Sequence, residues 1–135
     1  MYKYEEVKLV ILNIIKLAEQ CTSFDATKEE IEVHELYFSD EELNKIIEGR
    51  WYEEEQPIIN YLEQIPSDMI YYVLAVMYIG RDGVEQHKSY QSLMQNWIPY
   101  LKGTFEEKDY AIYQMLGKMD LIDYLQNGIY LIESL

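Results

Sequence analysis

Three observations predict an all-α, single-domain fold for this chain. Residues 69–79 (Met-Ile-Tyr-Tyr-Val-Leu-Ala-Val-Met-Tyr-Ile) form a run without a charge, closed by Gly80-Arg81-Asp82-Gly83. Segments on both sides repeat their apolar residues at helical spacing. No stretch shows the two-residue alternation of a half-buried strand. At 1.5 Å per residue the central run is too short to span a bilayer. A helix that is apolar all round is one that other helices surround. The sequence therefore predicts a bundle of about five to seven helices packed around residues 69–79.

The first element lies over residues 4–20, where Val7, Val10, Ile11, Ile14 and Leu17 form an apolar stripe. Lys3, Glu6, Lys16 and Glu19 are left to face water. Cys21-Thr-Ser-Phe-Asp25 breaks it. Thr27-Lys-Glu-Glu30 and Ser39-Asp-Glu-Glu42 both have capping-box form, each placing a Glu to reach back to the cap. The second opens a short helix with Leu43, Ile46 and Ile47, ending near Gly49. Residues 31–38 between them read as a helical turn or an extended segment, with helix favoured.

Pro57 suits the first turn of the next helix, where a missing N–H costs nothing. That helix carries Ile58, Ile59, Tyr61 and Leu62. Ser67 is the expected cap of the central helix, and Gly80 is placed to end it in a left-handed conformation. Ser89 caps a helix with the stripe Leu93, Met94, Trp97 and Leu101, which Pro99 should kink or end. Thr104-Phe-Glu-Glu107 forms another capping box, opening a helix through Ile112, Met115 and Leu116 to Gly117. Asp120 caps a last helix bearing Leu121, Ile122 and Leu125. Asn127-Gly128 should break it, leaving Ile129, Leu131 and Ile132 to pack the tail.

The totals bound the function. A chain of 135 residues fits one domain with a real core. The hydrophobic fraction of 49% is that of an ordinary globular protein. A net charge of -14 repels nucleic acid and anionic membranes, which leaves basic surfaces or small molecules as partners. Residues 26–56 form an acidic excursion, with Glu29, Glu30, Glu32, Glu35, Asp40, Glu41, Glu42, Glu48, Glu53, Glu54 and Glu55 against Lys28, Lys45 and Arg50. More than half of the net charge lies there. Such a segment is usually a solvated face. One cysteine, Cys21, forbids an internal disulfide and argues for a reducing compartment. The acidic start and the absence of a cleavage-site pattern give no secretory signal, so a cytoplasmic location is expected.

The order of segments resembles the bacterial domain of unknown function family 3775. The matching stretches are residues 8–20, residues 58–82, Trp97, and Ala111-Ile-Tyr-Gln-Met-Leu-Gly117 running into Leu121-Ile-Asp-Tyr-Leu-Gln-Asn-Gly128. The most specific are Gly80-Arg81-Asp82 and Asp123-Tyr124-Leu125 with Gly128. The family's Tyr-Leu-Leu-Gly is Tyr-Gln-Met-Leu-Gly in this chain, and the glycine after Arg81 is missing. Residues 26–55 lie outside the likeness. The resemblance implies an all-helical acidic fold and, since the family has no established activity, transfers no catalytic residue.

Candidates for chemistry are few. Arg81 follows the central helix directly, where a cation can bond the last carbonyls and offset the negative end of the dipole. Alternatively it anchors an anionic ligand or pairs with Asp123. The structural reading is the commoner one for such arginines. Glu30 and His34, one helical turn apart, could share a metal. There is no second histidine nearby and no His-Glu-x-x-His, so His34 reads as a surface residue. Nothing brings Cys21 to His34 or His87 as a nucleophilic pair. Phosphate loops and nucleophile elbows are absent. No catalytic, cofactor or metal residue is therefore assigned, and enzymatic activity is unsupported.

Tyrosine is the richer signal, with 14 in the chain. Tyr71, Tyr72 and Tyr78 belong to the core, their hydroxyls reaching its rim. Tyr37, Trp51 and Tyr52 lie in or beside the acidic region. Rings among carboxylates suit a docking face for a basic protein, the rings burying apolar area and the acids steering. They equally suit a loop pinned to the core. The leading expectation is a non-enzymatic interaction or regulatory protein, with Glu41, Glu42, Trp51, Tyr52, Glu53, Glu54 and Glu55 as partner-binding residues. A variant is an acidic inhibitor or immunity-like protein that mimics nucleic acid. The competing class is a small-molecule-binding protein or enzyme with a pocket near Arg81, and Gly80, Arg81 and Asp82 as a structural turn or ligand anchor. Direct nucleic-acid binding lacks a basic stripe. The oligomeric state, monomer or homodimer, is left open.

Overall fold

In the computed structural model, residues 2–20, 56–84, 89–117 and 120–135 are described. They form six helices and, among the described residues, no strand. These are α1 (Tyr4–Gln20), α2 (Gln56–Gln64), α3 (Ser67–Asp82), α4 (Tyr90–Thr104), α5 (Lys108–Leu116) and α6 (Leu121–Glu133). The all-α single-domain expectation holds. The two capping boxes at 27–30 and 39–42, the segment 31–38 and the short helix after Ser39 lie outside the described residues.

Helix α3 is the hub. Every residue from Met69 to Gly80 is buried. It packs most extensively against α6 and also meets α1, α4 and α5, while α2 bridges α1 and α5. The helical stripes read from the sequence are the faces that cover it. Val7, Ile11 and Ile14 of α1 are buried, joined by Ile15 and Ala18. Ile58 and Leu62 of α2, Leu93, Met94 and Leu101 of α4, and Ala111, Ile112, Met115 and Leu116 of α5 complete that shell. Each Val, Leu, Ile or Met side chain among them contributes roughly 1.5–3 kcal/mol on leaving water.

Several boundaries differ from expectation, each for a physical reason. Gly80 does not end α3, which continues through Arg81 and Asp82. The turn is made three residues later, at Gly83, with φ of 88° and its N–H bonded to the Ile79 carbonyl at 2.7 Å. Gly80 instead permits a close helix crossing. A Cβ there would stand 1.8 Å from the Tyr124 carbonyl oxygen of α6. Gly128 is its counterpart, where a Cβ would stand 2.3 Å from the Val76 carbonyl oxygen. For the same reason Asn127-Gly128 does not break α6, which runs unbroken to Glu133. Packing against α3 overrides the weak helix propensity of both residues.

Pro99 sits inside α4 without ending it. It is exposed, as is Gln95, so the Gln95 carbonyl that lost its donor can be met by water. Ser67 is the first helical residue of α3, and Pro66 occupies the cap position. Thr104 closes α4 rather than opening α5, since its hydroxyl donates to the Tyr100 carbonyl at 2.9 Å. Glu107 takes the cap position of α5. The Ser89 cap is as expected, accepting from the Ser92 N–H at 3.1 Å.

Candidate functional site

The end of α3 meets the middle of α4 in a ladder of stacked planar groups. Tyr78 and Trp97 lie nearly parallel, 5° apart with ring centroids at 5.6 Å. The Arg81 guanidinium carbon sits 4.6 Å from the centre of the Tyr78 ring. Tyr100 meets Trp97 edge-on at 6.1 Å. The spacing in sequence makes this arrangement local. Tyr78 and Arg81 are three apart on α3, and Trp97 and Tyr100 are three apart on α4, so each pair shares a helix face. Attraction between the cation and the ring face adds to the stacking.

Arg81 is fixed from its other side by Asp82. Its Nε donates to Asp82 Oδ1 at 2.8 Å and its terminal nitrogen to Oδ2 at 3.0 Å. This two-point pair holds the Asp82 carboxyl below the usual carboxylate value and raises the guanidinium further, the hydrogen bond being the main cause of both shifts. Arg81 thus neutralises its neighbour, in place of bonding the helix carbonyls or Asp123. Satisfying the end of α3 falls to Asn127, whose Nδ2 donates to the Gly80 carbonyl at 2.7 Å.

Beside the ladder lies an open cleft of about 530 Å³, walled by Tyr78, Trp97, Tyr100 and Phe105, with Arg81, Asp82, Asn96 and Thr104 at its margin. Its frame is well anchored. The Tyr71 hydroxyl donates to the Phe105 carbonyl, fixing the link between α4 and α5. Gln114 Nε2 donates to the Tyr78 hydroxyl at 3.0 Å, tying α5 to α3. Phe105 also stacks on Tyr110, centroids 6.2 Å apart. Tyr100 is 62% exposed and Tyr110 64%.

The sequence beyond Phe105 is acidic. Glu106, Glu107 and Asp109 are exposed and make no ion pair among the described residues. The intervening cation, Lys108, is turned away, its Nζ donating to the Glu63 carbonyl at 2.6 Å. A second cleft, of about 470 Å³, is bounded by Tyr2, Tyr72 and the Lys102–Asp68 ion pair of 3.0 Å.

Of the site residues proposed from the sequence, Arg81 and Asp82 line this cleft, and Gly80 directly precedes them. Tyr71, Tyr72 and Tyr78 are in the core as expected, each at most 7% exposed. Glu41, Glu42, Trp51, Tyr52, Glu53, Glu54 and Glu55 lie outside the described residues, as do Cys21, Glu30, His34, Tyr37 and His87. Among the described residues no group of three or more His, Cys, Asp and Glu could hold a metal ion. No described helix is long and apolar enough to cross a membrane.

Trp97, Tyr100, Phe105 and the acids after it escaped the sequence reading as a site. The three-residue spacing of Trp97 and Tyr100 was the available signal. No family model, no curated protein and no solved structure matches this chain.

Proposed function

We propose that this chain is a non-enzymatic binding protein whose acidic surface engages a basic partner protein in the cytoplasm. The observation that carries the reading is the surplus of negative charge, -14 over 135 residues, concentrated at residues 29–55 and recurring at Glu106, Glu107 and Asp109. Acids beside exposed rings steer a basic surface and then bury its alkyl stems against apolar area. The resemblance to family 3775 is compatible, because it brings no catalytic residue with it. Nucleic-acid mimicry is a special case of the same electrostatics, in which carboxylates stand where phosphates would.

The test is affinity purification of the tagged protein from its native host, with mass spectrometry of the retained proteins. The expected result is a stoichiometric basic protein that moderate salt retains and high salt releases. Absence of any partner above background would overturn the proposal.

The cleft favours one other reading, a small-molecule site in which a planar ligand stacks beside Arg81. A ligand that raises the melting temperature of the wild type, and not of Arg81→Ala, would support it.

A further inference from the structure

We infer that the cleft between α3 and α4 receives an arginine side chain of the basic partner, its guanidinium stacked on the exposed Tyr100 ring, which meets Trp97 edge-on. The inference rests on the basic-partner reading and names the place and the side chain. Three observations carry it. First, the chain already binds one guanidinium in this ladder, Arg81, whose guanidinium carbon lies 4.6 Å from the centre of the Tyr78 ring. The rings that continue the ladder, Trp97 and Tyr100, line an open volume of about 530 Å³, ample for one long side chain. Second, the cleft is not positively charged. Asp82 matches Arg81 through both of its oxygens, leaving no net cation to repel a second one. Third, the charge that remains at the Phe105 end is negative. Glu106 and Glu107 follow Phe105, are exposed, and pair with no cation among the described residues. Lys108 keeps its charge but directs its Nζ to the Glu63 carbonyl, and the three acids Glu106, Glu107 and Asp109 outnumber it.

Arginine fits this combination better than lysine. Its planar fork stacks on rings while still donating to carboxylates and to an amide such as Asn96, and it sheds water more readily than an ammonium. The rings supply contact area, and the acids supply attraction and orientation. The second cleft lacks this surplus, since its one cation and one acid neutralise each other.

The experiment is a nuclear magnetic resonance titration of the whole chain with hexa-arginine and hexa-lysine peptides at about 0.1 M salt, a Debye length of roughly 10 Å. The arginine peptide is expected to shift the Trp97 indole N–H and the amides of residues 100–107, and to bind several-fold more tightly than the lysine peptide. Tyr100→Ala is expected to weaken it about fivefold, a loss of the size of an exposed cation–ring contact. Because Tyr100 is 62% exposed, this variant is expected to keep the wild-type thermal melt. Arginine binding that leaves the cleft signals unmoved, or that Tyr100→Ala does not weaken, overturns the cleft assignment while the basic-partner reading stands. Equal affinity for the two peptides overturns the choice of arginine. Binding of neither peptide overturns the inference and the reading beneath it together.

Discussion

Gly80 and Gly128 are the residues least free to change. The nearest atoms to an added Cβ are backbone carbonyl oxygens, 1.8 Å away at Gly80 and 2.3 Å at Gly128. Backbone cannot swing aside as a side chain can, so relief requires α3 and α6 to separate along their whole contact. Gly80→Ala and Gly128→Ala are each expected to cost about 3 kcal/mol or more, at or above the usual range for overpacking, measurable as a fall in the urea midpoint. A midpoint unchanged in either variant would mean the crossing is looser than described. Asn127→Ala should cost about 1 kcal/mol, the net value of its bond to the Gly80 carbonyl. Arg81 contrasts with all three. It is exposed and paired with its own neighbour, so Arg81→Ala should move stability by less than about 1 kcal/mol. An arginine organising the helix end would cost far more.

At the scale of the element, apolar periodicity was the reliable signal and punctuation the unreliable one. The stripes of α1, α2, α4 and α5 were legible because burial demands that spacing and water demands its complement. Residues 69–79 were legible because a chargeless helix can only be surrounded. Asn127-Gly128 was misread because a glycine chosen for close approach looks, in sequence, like one chosen for a turn. Gly80 and Gly83 show both uses three residues apart, and only Gly83 has a positive φ. Thr104-Phe-Glu-Glu107 satisfied the pattern of a cap, but α4 extended far enough to take its threonine. The ladder of Arg81, Tyr78, Trp97 and Tyr100 could not be read because it joins two helices whose mutual placement no local spacing reveals. Pro99 supplies a test at this scale. Pro99→Ala should stabilise α4 by about 1–2 kcal/mol, restoring a bond to Gln95 and giving back part of the gain as unfolded-state entropy. A destabilised variant would show that α4 depends on its proline.

The described residues form a core of tyrosines and aliphatics beneath an acidic exterior, and the response to pH should show both. Burial raises the phenol of Tyr4 well above its ordinary value, with Glu133 adding to the effect. Burial likewise raises Tyr90, and Tyr71 too, where the nearby Lys102 charge opposes it and Asp68 and Glu106 reinforce it. An unfolded chain releases these protons first, from about pH 10. Their contribution is therefore complete below that value and is lost as pH rises from there through the folded values. Urea unfolding across the alkaline range should show stability falling once pH passes about 10. A flat profile would contradict the burial of these hydroxyls. On the acid side, Asp82 and Glu133 are depressed, chiefly by hydrogen bonds from Arg81 and Lys8. What they contribute is present at neutral pH and lost as pH falls through their lowered values. Both are exposed, so that change should be slight.

The surplus of negative charge is what the proposed partner would meet, and one measurement bears on it most directly. The dissociation constant of the captured basic partner is compared for the wild type and for a chain carrying Glu53→Lys, Glu54→Lys and Glu55→Lys. The account predicts about tenfold weaker binding by the reversed chain in moderate salt, with the gap closing as salt is raised. Equal affinity at every salt concentration would contradict it.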